Sequence, residues 1–184
     1  MKFPITVYGD PVLRKSAEPI GPDYPGLEEF LAHFWETMYY ADGVGLAAPQ
    51  VGLSIRVFVV DASAMADEDP SLKEFRKVFI NPTILDYAGD PWSMEEGCLS
   101  LPEIRENVSR PDRVRIRYQD AQFNWHEEEY SGYVARVIQH EYDHLEGRLF
   151  IDYLSPLRRK ILRGRLMAIS RGKVSPHYKI RVPA

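Results

Sequence analysis

Two histidines four positions apart, with a glutamate directly after the first, form the pattern in this sequence that is most suggestive of chemistry. They are His140, Glu141 and His144, in the stretch QHEYDHLEG at 139–147. Positions four apart lie on the same face of a helix, so both imidazoles can reach one metal ion. A glutamate beside them can exchange protons with water at that ion, as in HExxH metallohydrolases. The pattern therefore predicts a metal site in which Glu141 is the general base and acid.

Two imidazoles do not complete such a site, because a catalytic metal usually takes three protein ligands and keeps one position for water. Zinc proteases take the third ligand downstream, from a later glutamate or from a histidine at the spacing that Phe150 occupies here. No glutamate follows Glu146, which leaves Asp152 as the one later acid. Upstream, Cys98 is the only cysteine, and a thiolate binds zinc or ferrous iron well. Taken alone, however, a single cysteine is more often a buried structural residue.

A third segment, GVGLAAPQVG at 43–52, is small, apolar and flanked by glycines. Small side chains let a substrate backbone lie close to the protein, and the Gln50 amide can donate a hydrogen bond. A structural turn after a helix is the alternative explanation.

The composition is that of an ordinary globular chain, with 184 residues of which 45% are hydrophobic and 27% charged. This length predicts a single domain over 1–184. The sequence has no apolar run of about 18 residues, so we expect neither a membrane span nor a membrane partner. The first residues do not predict a secretion signal, and a single cysteine excludes an intramolecular disulfide. These features predict a cytoplasmic protein.

The charge is distributed unevenly along the chain. Residues 1–152 contain 27 acidic and 14 basic residues, a net charge of −13, whereas residues 153–184 contain nine Lys and Arg and no acid. Such a basic segment can bind a polyanion such as RNA. It can equally pack on the acidic part of its own chain or remain solvated, and the sequence leaves these alternatives open.

Apolar residues at helical spacing predict three helices. The predicted helices cover 22–43, 131–147 and 155–172. The second has Ser131 as a candidate N-cap and Gly147 as a stop, and Glu141 stands in its inward, apolar stripe. The third begins with Ser155 as N-cap and stops at Gly172.

Alternating polarity and β-branched residues predict strands at 56–61, at 77–89 with a break at Pro82, and at 112–120 with a hairpin partner at 123–132. The acidic stretch 62–75 is predicted to be a surface loop. Together with the helices, these strands predict an α+β fold with mostly antiparallel strands around a central metal-binding helix.

Three segments together closely resemble the peptide deformylase family, whose members remove the N-formyl group from new polypeptides. They are GVGLAAPQ at 43–50, EGCLS at 96–100 and QHEYDHLEG at 139–147, and the resemblance extends from YGDPVLRK at 8–15 to about residue 172. It implies the peptide deformylase-like α+β fold. It also implies that Cys98 joins His140 and His144 as the third metal ligand, with water in the fourth position.

The resemblance further implies a mechanism. Glu141 takes a proton from the water at the metal, the hydroxide attacks the formyl carbon, and Glu141 passes the proton to the leaving amine. The side chain of Gln50 and the backbone N–H of Leu99 stabilise the oxyanion. One divalent ion per chain is expected, with Fe²⁺ as the natural metal and Zn²⁺ or Ni²⁺ as substitutes. A metalloprotease that uses Asp152, and a non-catalytic protein that has a structural metal or binds nascent chains, are the alternatives.

By the same resemblance, the substrate is expected to contact Val44, Gly45, Glu96, Arg105 and Val137. Val44 and Val137 would line the methionine pocket, Gly45 would bind the substrate backbone, and Arg105 could equally be a surface residue. Tyr133 and Arg136 stand where smaller or apolar pocket residues are expected.

The expected partners are N-formylmethionyl nascent peptides and, through the basic helix at 155–172, the ribosome. No specific DNA partner is expected. A tail follows this helix at 173–184, and its end, HYKIRVPA at 177–184, departs from the long helical ending of some bacterial members.

Overall fold

The structure is a computed structural model that describes all 184 residues of the chain. It contains three α-helices, namely α1 at Leu27–Tyr40, α2 at Gly132–Leu145 and α3 at Pro156–Ser170. Its nine strands are β1 at Ile5–Thr6, β2 at Gly45–Ala47, β3 at Val57–Asp61, β4 at Arg76–Ala88, β5 at Trp92–Cys98, β6 at Leu101–Arg110, β7 at Arg113–Gln119, β8 at Trp125–Ser131 and β9 at Ile180–Arg181.

Five strands form an antiparallel sheet in the order β2-β3-β4-β7-β8, and this sheet separates two hydrophobic clusters. Successive side chains of a strand point to opposite faces of the sheet. In β3, Phe58 accordingly packs in one cluster with Ile138 of α2, whereas Val57 and Val59 pack in the other with Phe34 of α1. The two helices therefore cover opposite faces of the sheet.

Strands β5 and β6 form a separate antiparallel hairpin that is also in contact with α2. Arg136 of α2 donates hydrogen bonds to the carbonyl of Trp92 at 2.6 Å and to that of Val108 at 2.7 Å. Helix α3 packs on the hairpin, where Leu162 lies in one apolar cluster with Ile104. Because α2 contacts both the five-stranded sheet and the hairpin, the predicted α+β fold with a central helix is confirmed.

The three predicted helices are present, and each begins later and ends earlier than predicted. The Ser155 hydroxyl accepts a hydrogen bond from the Arg158 N–H at 3.2 Å, so the predicted cap of α3 forms. Ser131 stands in the N-cap position of α2, but its side chain makes no capping bond. Gly147 follows α2 with a φ of +72°, and a Cβ there would lie 2.6 Å from the carbonyl oxygen of Arg14.

The predicted break at Pro82 is wrong. Strand β4 continues through it, and the pairing register with β7 shifts between Ile80 and Thr83. Asn81 adopts a φ of +49°, and its side chain bonds both the N–H and the carbonyl of Ile20. The proline is therefore accommodated in a bulge, as its missing N–H requires. The β5–β6 hairpin and the pairing of β1 with β9 have no counterpart among the predicted strands.

The basic C-terminal region packs partly on the rest of the chain. Arg158 pairs with Glu106, and Arg165 donates to the Glu103 carbonyl, so two arginines of α3 lie on β6. Strand β9 pairs with β1 in parallel. No helix in this fold combines the length and the hydropathy that crossing a bilayer requires.

Candidate metal centre and substrate cleft

The three residues named as metal ligands come together between β5 and α2. Cys98 ends β5, and His140 and His144 lie one turn apart on α2. One donor atom from each lies within 4.8 Å of the other two, and Cys98 Sγ is 3.4 Å from His144 Nε2. No other three His, Cys, Asp or Glu side chains of the chain converge in this way.

Asp152, the alternative third ligand, is occupied elsewhere. Its carboxylate accepts a hydrogen bond from Arg14 Nη1 at 2.7 Å and another from the Leu149 N–H at 3.0 Å. The ligand set that the fold assembles is therefore the one with the cysteine.

The donor chemistry of the cluster fits a divalent cation. His140 Nδ1 lies 2.9 Å from Glu96 Oε1, which assigns a proton to Nδ1 and leaves Nε2 as the ring nitrogen available to a cation. Burial lowers the pKa of His144 well below its usual value, so its imidazole is neutral. Burial also opposes a charge on His140, but hydrogen bonds with Cys98 and Glu96 outweigh it and raise the pKa of His140. One neutral imidazole, one imidazole oriented by a carboxylate and one thiol are donors that suit Fe²⁺, Zn²⁺ or Ni²⁺.

Glu96 is the centre of a buried ionic network next to His140. Arg110 donates to both Glu96 oxygens at 2.7 and 3.0 Å, and Arg136 donates to one of them at 2.8 Å. Arg110 also bonds Asp143 at 2.8 Å. Burial alone would raise the pKa of Glu96, but the hydrogen bonds from His140 and Arg110 lower it below its usual range. The carboxylate therefore stays ionised.

These contacts give Glu96 a role besides the expected one. It was expected to contact the substrate, and it does stand in the wall of the cleft. Both of its oxygens, however, are bound by His140, Arg110 and Arg136. Its contacts favour a role in holding the histidine, and its contact with the substrate stays a prediction.

Glu141 is buried beside the same histidine but has fewer partners. Its Oε2 atom has no hydrogen-bond partner in the chain. Burial is the largest influence on its pKa and raises it to about 7, while the charge of His140 opposes the rise. A carboxyl group with such a pKa can take up and release a proton near neutral pH. A Cβ at position 45 would lie 2.8 Å from Glu141 Cγ and Oε1, so Gly45 provides the space for this carboxyl.

Two hydrogen-bond donors flank the cysteine. Gln50 Nε2 lies 3.4 Å from Cys98 Sγ and 3.2 Å from Ser100 Oγ, and Gln50 Oε1 accepts from the Ala47 N–H at 3.0 Å. Leu99 is in the turn between β5 and β6, and its backbone N–H has no partner within the chain. Both residues named as oxyanion donors therefore lie at the ligand cluster.

A cleft of about 400 Å³ opens beside this cluster. It is lined by the expected contact residues Val44, Gly45, Glu96, Arg105 and Val137, together with Gln50, Cys98, Leu99, His140 and Glu141. Val44 is exposed, whereas Val137 is buried in the wall. Arg105 lies at the open side, where its Nε bonds Glu95 at 2.8 Å. All the expected site residues except His144, which is buried, thus line one cleft.

Four residues at the site were missed by the sequence reasoning or given no role. Arg110, Arg136 and Asp143 form the ionic network, and Tyr178 reaches the cleft from the C-terminal tail. Asp143 offered one signal, because it is a second acid on the buried helix that contains His140 and His144. Arg110 and Tyr178 offered none, since their partners are distant in the sequence.

Comparison with known proteins gives one family. The family model described as polypeptide deformylase matches residues 2–160. Among curated relatives, the peptide deformylase of Christiangramia forsetii is 50% identical over 190 residues, covering 100% of this chain and 97% of the relative. That of Flavobacterium psychrophilum is 50% identical over 189 residues, covering 99% and 97%.

Solved structures agree. A peptide deformylase from Thermotoga maritima is similar, with a TM-score of 0.76 and 45% identity over 85% of this chain and 99% of that one. Another, from Thermus thermophilus, has a TM-score of 0.82 and 39% identity over 94% and 99% of the two chains. The resemblance stated from the sequence is confirmed.

Proposed function

The chain belongs to the polypeptide deformylase family of hydrolases, which remove the N-formyl group from nascent peptides, and we propose that it does so with a divalent cation. Cys98, His140 and His144 would hold the cation. When bound, it would supply a Lewis acid that polarises the formyl oxygen and lowers the pKa of a water molecule. The observation that carries the proposal is the convergence of this ligand set with the buried, unpartnered Glu141 carboxylate in one cleft.

Glu141 moves the proton in the proposed reaction. Its free Oε2 accepts a proton from the attacking water, and the same carboxyl then gives that proton to the leaving amine. The bond that breaks joins the formyl carbon to the amine nitrogen, and the products are formate and a peptide with a free N-terminal methionine. A pKa raised by burial suits both halves of this exchange.

Gln50 and Leu99 stabilise the oxyanion in this proposal. The amide of Gln50 lies next to Cys98, and the N–H of Leu99 follows Cys98 directly in the chain. Both donors are fixed by the fold before the substrate arrives, which is the condition under which such bonds lower a barrier. Each would contribute about 3 kcal/mol to the transition state.

The substrate peptide would bind along the edge of the five-stranded sheet. Strand β2 is the outermost strand, so one side of its backbone is free of sheet pairing, and its Gly45 lines the cleft. An extended peptide can add its backbone to such an edge. Val44 and Val137 would contact the methionine side chain, and Arg105 would act near the open side. A formyl carbon carries only hydrogen, so a tight site excludes bulkier acyl groups.

Metal-loaded protein, purified without oxygen, should release formate from an N-formyl-Met tripeptide and no acetate from the N-acetyl peptide. A metal-loaded protein that releases no formate but cleaves internal peptide bonds would instead support a metalloprotease. Loss of activity after aerobic purification is expected if Fe²⁺ is the natural metal. Equal activity in both preparations would count against iron.

The ligand set has its own test. Cys98→Ser should lose the metal and formate release together, whereas Asp152→Asn should keep both. The metalloprotease with Asp152 as third ligand requires the reverse result. Asp152 bonds Arg14 and Leu149, so Asp152→Asn should slightly reduce stability. This variant therefore also shows whether a small loss of stability alone affects metal binding or formate release.

The ribosome is the proposed partner of α3, and a cytoplasmic location goes with it. The solvent-facing side of α3 combines the apolar Leu157 and Ile161 with the exposed basic residues Arg159, Lys160 and Arg163. Basic side chains suit the phosphates of ribosomal RNA. Changing these three basic residues to Glu should abolish co-sedimentation with ribosomes and leave formate release from a tripeptide unchanged. Unchanged co-sedimentation would contradict this part of the proposal.

A further inference from the structure

The C-terminal tail returns from α3 to the substrate cleft. Helix α3 ends at Ser170, and the tail then lies along the N-terminal strand β1, where the Ile5 N–H donates to the Lys179 carbonyl at 2.8 Å. The Val7 N–H donates to the Arg181 carbonyl at 3.1 Å. The matched family region ends at residue 160, so this tail lies beyond it.

Two neighbouring residues of the tail contact both walls of the cleft. Tyr178 lines the cleft, and its hydroxyl donates a hydrogen bond to the Leu99 carbonyl at 2.8 Å. His177 Nε2 lies 2.9 Å from the Tyr40 carbonyl oxygen and 3.3 Å from Asp42 Oδ2. Tyr40 and Asp42 directly precede the cleft segment at 43–45, so the tail joins this wall to the turn that carries Leu99.

Tyr178 keeps the proton that its hydrogen bond to the Leu99 carbonyl requires. The side chain is half-buried, and burial raises the pKa of Tyr178, so its hydroxyl stays protonated and donates. The Leu99 side chain is held as well, since it packs against Gly43, where an added Cβ would lie 3.0 Å from Leu99 Cδ1. The carbonyl and the N–H of Leu99 are separated by only two rotatable backbone bonds, so fixing the carbonyl restricts the direction of the N–H.

We infer that Tyr178 is a positioning residue, which holds Leu99 so that the Leu99 N–H faces the formyl oxygen. This inference rests on the proposed deformylase function and adds the C-terminal tail to its machinery. The N–H acts on charge that develops only in the transition state, so a misdirected N–H should lower kcat more than it raises KM.

The test compares Tyr178→Phe with Tyr130→Phe. Tyr130 is also partly buried, and its hydroxyl donates to Glu128 at 2.7 Å on β8, away from the cleft lining. Tyr178→Phe should lower kcat about tenfold, with KM and metal content close to those of the wild type, because the donor is misdirected and not removed. Tyr130→Phe should leave kcat unchanged.

A second readout does not depend on turnover. In zinc-loaded protein, the ¹⁵N resonance of the Ser100 amide, which shares a peptide group with the Leu99 carbonyl, should move in Tyr178→Phe and stay in Tyr130→Phe. A wild-type kcat in Tyr178→Phe, or an unmoved Ser100 resonance, overturns the inference while leaving the deformylase function intact. A wild type that releases no formate removes the proposed function, and the inference falls with it.

Discussion

Glu96 and Glu141 are both buried beside His140, but the protein surrounds their carboxylates differently. Glu96 lies in the ionic network, where two arginines and His140 bind its oxygens. Burial would raise its pKa, but His140 and Arg110 lower it. Glu141 lies at the cleft, where one oxygen has no partner and burial raises its pKa to about 7. The two glutamates thus differ in protonation because their environments differ.

The surroundings of Glu96 suit a carboxylate that holds other side chains in place, whereas those of Glu141 suit a carboxyl that exchanges a proton. A carboxylate with both oxygens bound keeps its charge and fixes the side chains that it binds, which here include His140. An unsatisfied carboxyl is costly to bury and has a proton that it can exchange. In the proposed mechanism, the network therefore holds a metal ligand, His140, while Glu141 at the cleft exchanges the proton.

The largest effect is expected from Glu141→Gln. The amide keeps the shape of the carboxyl but cannot take up a proton, so formate release should fall about a thousandfold. Metal content should remain that of the wild type. Glu146→Gln, just after the same helix, is the control, because Glu146 is partly exposed and pairs with Arg56. Activity within about tenfold of the wild type in Glu141→Gln would show that another group is the base.

Gln50→Leu should lower kcat about a hundredfold with little change in KM, because it removes a donor that acts on the oxyanion. The matched control is Gln139→Leu, since Gln139 is an equally buried glutamine whose Nε2 donates to the Pro111 carbonyl at 2.9 Å. Both variants should lose about 1–3 kcal/mol of unfolding free energy. Equal losses of kcat in the two would assign the effect of Gln50 to stability.

Arg110→Met disrupts the buried ionic network but changes no residue that lines the cleft. It leaves Glu96 and Asp143 as uncompensated buried charges, so the free energy of unfolding should fall by about 3–5 kcal/mol. Metal affinity, measured by competition with a chelator, should weaken about 10–100-fold as Glu96 loses its anchor. Arg115→Met, in an exposed pair with Glu127, should change stability by about 0–1 kcal/mol. Wild-type metal affinity in Arg110→Met would refute the role given to the network.

The smallest effect is expected from Gly45→Ala. The added methyl group must displace the Glu141 carboxyl, which should reduce formate release about tenfold. Gly164→Ala in α3 is the control, because no atom lies within 4 Å of its added Cβ. That change should raise the unfolding free energy by about 1 kcal/mol without altering turnover. Full activity in Gly45→Ala would mean that the carboxyl has room to move.

Local patterns sufficed for the elements whose apolar residues repeat regularly. Helix α2 and the β7–β8 hairpin follow from periodicity, and the histidine spacing of α2 follows from helix geometry. The β5–β6 hairpin did not follow, because Glu96 and Arg110 occupy buried positions where the pattern expects apolar residues. Their burial is possible only because they pair with each other in the folded chain.

The site residues that belong to sequence motifs could be predicted from the sequence. The family resemblance implied three metal ligands, and the fold brings these residues close enough together that they could hold a metal ion. Residue types alone left Cys98 and Asp152 open, since only tertiary structure engages Asp152 with Arg14. Tyr178 was invisible for the same reason, because its partner, Leu99, is 79 positions earlier.

The most direct test of this division of roles is formate released per bound metal ion in Glu141→Gln and Glu96→Gln, measured side by side with the wild type. Glu141→Gln should bind a full complement of metal and show almost no turnover per ion. Glu96→Gln should bind less metal, while each ion that remains supports turnover near that of the wild type. If the two variants lost turnover per ion equally, or if Glu141→Gln remained active, the account would be wrong.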